Sequence, residues 1–398
     1  MAYFLPRARH LETVCRLSVA LLVIGCSSDT SGSDPGGSGA NGSGSTSGTA
    51  GNGPGSGPGG GGSGAAGGAG AASSSSGSGA AGGASSAGGG GAGGGPPCPN
   101  EPPIDLVPPG LLSETALYTD IAAGTVAPYV RQFQPQYPLW SDAADKQRYA
   151  YLPSCEQVDT TDMDHWKFPV GTRFWKEFTV NGVRVETRLL HRWGPGKSNW
   201  LFAAYEWNDS QTEAVHVPNG VMNSHGTEHD IPTSIQCTTC HVKLDERVLG
   251  YSAFQLSHGG SGDTIATLSA EGKLTVPAPL GFTVPGNAVD QAALGYLHAN
   301  CGNCHNQGGA NVNLYMRLLV SNTTVQETDA YTSGVNVVTA NWPCGGCVRI
   351  APGDAAASAI VMRMSVRGNT DQMPPIGTEV VDDTGVQVVS DWVNSLPP

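Results

Sequence analysis

The sequence predicts an α+β protein in which an antiparallel β-rich domain is followed by a mostly α-helical domain. Alternating residues on both sides of Asn181-Gly182 predict a β-hairpin, because both turn residues tolerate a positive φ. Apolar residues recur at helical spacing over 290–300 and 386–396, which predicts two helices. Residues 31–95 hold 30 of the 57 glycines and one charged side chain, so the core must come from residues 96–398.

The first 26 residues have the layout of a signal peptide. Three arginines precede the apolar run 17–24, which is too short to remain as a membrane-spanning helix of about 20 residues. The run ends at Cys26, followed by two serines, and resembles a bacterial lipobox with outer-membrane sorting. We expect Cys26 to be lipidated and the mature protein to lie in the periplasm, anchored to the outer membrane. An ordinary signal peptide with an incidental cysteine is the alternative.

Residues 27–95 are predicted to be a disordered Gly/Ser-rich linker, whose root-mean-square span would be about 45–50 Å. The net charge of the chain is −13, and the three arginines and three acids of residues 1–95 cancel. The whole acidic excess therefore belongs to residues 96–398. An acidic body without a basic stripe argues against nucleic acid and anionic lipid as partners, so we expect membrane contact only through the lipid anchor.

Residues 96–230 are predicted to form the β-rich domain. Strands are expected over 174–180, 183–189, 199–207 and 212–217, where aromatic and β-branched residues dominate. Glu186 and Arg188 fall on one face of a strand, where cross-strand ion pairing is a better explanation than catalysis. The run 137–148 contains acidic, basic and hydroxyl groups, but nothing in the sequence fixes their geometry, so we interpret it as a solvated turn.

Two Cys-x-x-Cys-His motifs within residues 231–398 predict the chemistry. They consist of Cys237, Cys240 and His241, and of Cys301, Cys304 and His305. The spacing is typical of c-type haem attachment, because one turn of helix lets two thiols form thioethers with the haem vinyl groups and lets the next histidine bind the iron. We expect two covalently bound haems. A disulfide beside a histidine and a zinc site built from both cysteine pairs are the alternatives.

Met373 is the expected second axial ligand of the iron at the second motif. A thioether raises the reduction potential of the iron relative to a second histidine, and the two prolines that follow restrict the backbone. Residues 290–398 then have the order of one cytochrome c-like module: helix, attachment motif, methionine loop and closing helix.

The sequence leaves the second ligand of the first iron open, because residues 242–300 contain no methionine. The candidates, in order of preference, are His298, His258 and His229. The other alternative is an open position, at which the iron would bind peroxide or another small molecule.

The remaining cysteines are interpreted as structural. Cys98 and Cys155 are expected to pair in an oxidising compartment. No histidine follows Cys347, so Cys344 and Cys347 do not form a third attachment motif. We expect a short-loop disulfide there, with a redox-active dithiol as the alternative.

Besides the two motifs, a family resemblance is carried by residues 112–114, 137–142 with Lys146 and Arg148, 168–172 with Lys176, 186–190, 207–208 with 211–214, 231–232, 249–251 with 255–256, Asn300, and 349–354 with Ser358. Through these residues the body, 96–398, resembles an uncharacterised bacterial family of exported dihaem c-type cytochromes with a C-terminal cytochrome c domain. The lipobox and linker resemble those of myxobacterial lipoproteins. The resemblance implies haem binding and electron transfer but no settled substrate.

The expected function is electron transfer by a lipid-anchored periplasmic dihaem cytochrome. Its redox partners would be a donor dehydrogenase and an acceptor such as a small soluble cytochrome, and the acidic surface would steer a basic partner. The alternative is a peroxidase-like dihaem oxidoreductase in which the first haem keeps an open coordination site.

Overall fold

The computed structural model describes residues 101–398 except 311, 341, 343 and 345, and the described residues belong to one compact unit. The predicted signal peptide with Cys26, the linker 27–95 and Cys98 lie outside the described residues. Among the helices of residues 101–398, none is both long and apolar enough to cross a bilayer.

The predicted antiparallel sheet is confirmed. Six strands pair with their chain neighbours in one sheet, and two more form a separate hairpin. Asn181 and Gly182 connect two central strands with φ values of 51° and 81°, as the Asn-Gly turn predicts. The strands are β1 (Tyr118–Asp120), β2 (Thr125–Val126), β3 (Arg131–Gln132), β4 (Asp145–Tyr151), β5 (Arg173–Val180), β6 (Val183–Arg192), β7 (Trp200–Trp207) and β8 (Ala214–His216).

A β-bulge in β6 sets which of its side chains share a face with those of β5. After the pair Thr179–Arg184, regular pairing would put Val185 opposite Phe178. Val185 is instead an inserted residue, and Phe178 pairs with Glu186. Side chains alternate along a strand, so one inserted residue moves the rest of the strand to the other face. As a result Lys176 lies directly opposite Arg188.

The helices predicted over 290–300 and 386–396 are confirmed as the two longest in the described part of the chain. They pack so closely that a Cβ built on Gly385 would lie 2.3 Å from the ring of Tyr296. The helices are α1 (Ser234–His241), α2 (Ile265–Ala270), α3 (Ala288–Asn300), α4 (Asp329–Gly334), α5 (Ala359–Met364) and α6 (Asp383–Ser395). Short 3-10 turns occur at Leu112–Thr115, Ser224–Gly226 and Val325–Glu327.

The prediction of a mostly α-helical cytochrome c-like domain is wrong. Helix makes up only 21% of the described residues and strand 19%. Between α3 and α6 the described chain consists mostly of loops, interrupted only by the short helices α4 and α5 and the 3-10 turn Val325–Glu327. Side chains satisfy part of the backbone groups of these loops. Arg349, for example, donates hydrogen bonds to the carbonyl oxygens of Val312, Asn313 and Ser333.

One hydrophobic cluster contains residues from both sides of the predicted boundary at 230. The ring of Tyr251 packs edge-on against Phe133, with centroids 4.8 Å apart, and lies 5.1 Å from Phe174 on β5. Leu256 and Ile265 belong to the same buried cluster. The sheet therefore shares its core with the segment that follows the first Cys-x-x-Cys-His motif.

Candidate functional site

Both Cys-x-x-Cys-His motifs and Met373 line one cavity of about 520 Å³. This volume lies within the range of about 300–1,000 Å³ that is usual for ligand sites. Apolar side chains of the sheet, including Leu190 and Phe202, form part of its wall. The thiols of Cys240 and Cys304 lie close enough that each shifts the pKa of the other, so the two motifs are adjacent.

The first motif lies on α1, which begins with a capping box. The Thr233 hydroxyl accepts a hydrogen bond from the backbone N–H of Gln236 at 3.1 Å, and the Gln236 side chain accepts one from the N–H of Thr233 at 2.8 Å. A Cβ at Gly220, where φ is +70°, would lie 2.5 Å from the carbonyl oxygen of Ile231. The loop at Gly220 therefore packs closely against the segment at Ile231, which lies just before the start of α1.

The proton of His241 is held on Nδ1. The Nδ1–H group donates to the carbonyl oxygen of Arg247 at 2.5 Å, and a carbonyl can only accept. Burial, helped by the charges of Arg188 and Lys176, lowers the pKa of His241 to about 4. The Nε2 lone pair is therefore free, as an iron-binding imidazole requires.

The second motif follows directly on α3. Cys304 and His305 both donate backbone hydrogen bonds to the carbonyl oxygen of Cys301, which closes one tight turn. His305 Nδ1–H donates to the carbonyl oxygen of Leu314 at 3.3 Å, so its Nε2 is also left free. The two motif histidines thus have the same tautomer through the same type of contact.

The segment 137–148 holds the second motif and the methionine loop together. Trp140 donates its backbone N–H to the Asn300 side chain at 2.7 Å and its indole N–H to the carbonyl oxygen of Val380 at 3.1 Å. Asp142 accepts a backbone hydrogen bond from Val380 at 2.9 Å. The interpretation of this run as a solvated turn is wrong, because residues 145–151 are strand β4 and Ser141 and Arg148 are buried.

The loop that carries Met373 is tied to the chain just before it. Met373 donates its backbone N–H to the carbonyl oxygen of Arg363 at 2.9 Å, and Arg367 Nε donates to the hydroxyl of Thr378 at 2.7 Å. Both arginines line the cavity beside Met373.

The structure does not bring the three candidate distal histidines to the cavity. His298 is buried beside Phe254, and its Nδ1 accepts the backbone N–H of Leu318 at 3.0 Å. His258 Nε2 donates to the carbonyl oxygen of Gln134 at 2.7 Å. His229 Nε2 donates to the carboxylate of Glu186 at 2.8 Å. In all three rings Nε2 carries the proton, so it is not free for a metal.

A row of cations on the cavity wall was not predicted as part of the site. Arg148 on β4, Lys176 on β5 and Arg188 on β6 are cross-strand neighbours, and all three line the cavity with the first motif. The alternation of β5 gave a signal for Lys176, but only the bulge in β6 puts Arg188 opposite it. Met222 was also missed; it is 71% exposed and lies at the cavity.

The other cysteines are separate from this site. Cys344 and Cys347 are joined by a disulfide bond. Cys155 is also disulfide-bonded, and its expected partner, Cys98, lies outside the described residues. Glu186 and Arg188 form an ion pair with each other within β6, with a shortest N–O distance of 2.6 Å, and not with partners across the strands as expected.

The residues around the cavity fit a covalently bound haem. Each motif offers two unoxidised thiols and an imidazole with a free Nε2, and the wall supplies apolar side chains for a flat macrocycle. Burial raises the pKa of Cys301 to about 12, so this thiol is protonated at neutral pH.

Comparison of the chain with protein-family models, with curated proteins and with solved structures finds no match in any of the three.

Proposed function

We propose that this chain is a c-type cytochrome that binds two haems covalently and carries electrons between redox partner proteins. The observation that supports it most is that both Cys-x-x-Cys-His motifs line one cavity, each with a histidine whose Nδ1–H is held by a backbone carbonyl. The proposal rests on the attachment motifs and the cavity, and it requires no cytochrome c fold. We also propose that the chain is related to the exported dihaem cytochromes that it resembles in sequence.

In this proposal Cys237 and Cys240 hold one haem and Cys301 and Cys304 the other. His241 and His305 are the proximal ligands, and Met373 is the distal ligand at the second motif. Bound haem would supply one-electron chemistry at iron. The chain orients both imidazoles, excludes water with the apolar wall, and keeps the two motifs adjacent, so that an electron can pass from one to the other.

Haem content is the first test. The full chain is exported in a host with a working haem maturation system, and the pyridine haemochrome and the protein mass are measured. We expect two covalent haems in the wild type and one in Cys237→Ala or Cys301→Ala. The control is Cys344→Ala/Cys347→Ala, which should keep both. A colourless wild-type protein would refute the proposal.

Export and lipidation belong to the same proposal, because haem is attached outside the cytoplasm. We propose that Cys26 is lipidated and anchors the chain to the periplasmic face of the outer membrane. Labelling with a radioactive fatty acid should mark the wild type and not Cys26→Ser. A labelled Cys26→Ser variant would show that Cys26 is not the anchor.

A second candidate function is a dihaem oxidoreductase that acts on peroxide or another small molecule. The placement of His298, His258 and His229 away from the cavity favours it, because none of them is positioned to close the first coordination site. Spectroscopy separates the two functions. Two low-spin haems indicate a carrier, whereas a stable high-spin signal that binds cyanide indicates a catalyst.

A further inference from the structure

The cation row on the sheet is an unfavourable arrangement in the protein alone. Arg148 lies directly opposite Lys176, which lies directly opposite Arg188. Side chains in such cross-strand pairs have Cβ atoms about 4.5–5.5 Å apart, and like charges at these positions destabilise a sheet. Arg148 is only 7% exposed, so water screens little of its charge.

Most of this charge lacks a carboxylate partner within the described residues. Arg188 pairs with Glu186, and Arg148 donates to the neutral side chain of Gln134 at 3.0 Å. The Lys176 ammonium lies 4.7 Å from the centre of the Phe178 ring, and the Arg188 guanidinium lies 4.5 Å from the same ring. Neither Arg148 nor Lys176 is among the ion-paired side chains of the described residues, so both lack a carboxylate partner at the cavity. Burial, together with the charges of Arg148 and Arg188, lowers the pKa of Lys176 well below its usual range, so its charged form needs an anionic partner.

The row is close to the first motif. Arg188 lies within electrostatic range of the thiols of Cys237 and Cys240, and Lys176 within range of the His241 ring. His241 also packs against Phe202 of the sheet, with ring centroids 5.2 Å apart. A group attached to the first motif would therefore meet this part of the sheet.

We propose that Arg148, Lys176 and Arg188 bind the two propionate carboxylates of the haem carried by the first motif. This inference rests on the proposed function, because it requires haem at Cys237 and Cys240. Two propionates would supply one carboxylate each to Arg148 and Lys176, the two basic side chains without a carboxylate partner, and would favour the charged form of Lys176. Arginine binds carboxylates through paired N–H groups, and such charge-assisted hydrogen bonds are roughly twice as strong as neutral ones. A free oxyanion such as phosphate could bind the same three cations. The test therefore distinguishes haem propionates from a free oxyanion.

Lys176→Gln is the primary variant, because Lys176 has only its contact with the Phe178 ring to lose. Arg148→Gln is the second, and Arg148→Lys keeps the charge. Lys197→Gln is the matched control, since Lys197 is an exposed lysine that does not line the cavity. The full exported holoprotein is used, and haem content, reduction potentials and the propionate bands in resonance Raman spectra are measured.

Oxidised haem carries one more positive charge than reduced haem, so nearby cations favour reduction. We expect two haems in every variant. In Lys176→Gln and Arg148→Gln the equilibrium constant for reduction of one haem should fall at least tenfold, about 59 mV for a one-electron couple, and its propionate bands should shift. Lys197→Gln should behave as the wild type, and Arg148→Lys, which keeps the charge but not the paired N–H groups, should change the potential less than Arg148→Gln does.

Two results would overturn the inference while leaving the proposed function intact. The first is unchanged potentials and propionate bands in both glutamine variants with two haems bound. The second is a reduction potential that changes in the wild type when inorganic phosphate or acetate is added at constant ionic strength, but does not change in the glutamine variants. This result would show that the cation row binds a free oxyanion. A wild type without covalent haem would overturn both proposals.

Discussion

His241 and His305 are oriented by the same type of hydrogen bond, although they lie in different local structures. One follows a capped helix and the other a tight turn, yet each gives its Nδ1–H to a carbonyl a few residues downstream. In His298, by contrast, Nδ1 accepts a backbone N–H. The hydrogen-bond partner of Nδ1 therefore distinguishes the two proposed iron ligands, whose Nδ1 donates to a carbonyl, from the structural His298, whose Nδ1 accepts.

Met373 gives the most direct test of ligation at the second motif. Met373→His should keep a six-coordinate iron but lower the reduction potential of one haem, because a thioether favours the reduced state more than an imidazole does. We expect a change of tenfold or more in the equilibrium constant for reduction, about 59 mV. Potentiometric titration measures it, with Met362→Leu as the control. Two unchanged potentials in Met373→His would exclude Met373 as a ligand.

His298 should make the stability of the protein depend on pH. Burial, helped by the charge of Arg317, lowers its pKa from 6.5 to about 3 in the folded state. Between these values the unfolded chain binds the proton and the folded chain does not. The free energy of unfolding should therefore fall as the pH falls from 6.5 to 3, by up to about 1.4 kcal/mol per pH unit from this residue.

The measurement is urea unfolding followed by circular dichroism across this pH range, in the wild type and in His298→Gln. The variant should be less stable at pH 7 and should lose less stability on acidification. Parallel pH profiles would contradict the expectation. The haem spectrum provides a second readout, because a changed first haem in His298→Gln would indicate that His298 is a ligand after all.

The packing of α3 against α6 depends on a glycine. A Cβ at Gly385 would lie 2.3 Å from the Tyr296 ring, closer than real atoms approach, so the helices would have to move apart. Gly385→Ala should lower the free energy of unfolding by about 1–3 kcal/mol, as overpacking usually does. Gly259→Ala is the control, since no atom lies within 4 Å of its added Cβ. Equal stability of the two variants in urea unfolding would show that the crossing is not tightly packed.

The β5–β6 hairpin shows how a single inserted residue changes a site. Without the bulge at Val185, Lys176 would pair with Thr187, and Arg188 would lie on the other face of the sheet. The bulge is therefore what brings Arg188 to the cavity. It also buries Val185 in a small cluster with Phe178.

The acidic excess of residues 96–398 should control association with redox partners. Opposite charges accelerate encounter, and this effect is screened as salt is added. The association rate with a small basic cytochrome should fall by about tenfold or more between low and physiological ionic strength. Stopped-flow kinetics measures it, with an acidic cytochrome of similar size as the control. A rate with the basic partner that does not depend on salt would refute electrostatic steering.

The sequence by itself determined the features that depend on residues close together in the chain. Such features are local patterns, which can be recognised in a single sequence. They are the spacing within each Cys-x-x-Cys-His motif, the Asn181-Gly182 turn, and the apolar periodicity of α3 and α6. The sheet around the hairpin was predictable for the same reason.

Only the tertiary structure decided how these pieces meet. The helix content was overestimated because hydrogen bonds from distant arginines stabilise loops, and no local pattern reports such contacts. The cavity shared by both motifs, the exclusion of His298 from it, and the alignment of Lys176 with Arg188 all depend on register and packing between segments far apart in sequence. Non-local contacts of this kind are set by the fold as a whole and not by neighbours along the chain.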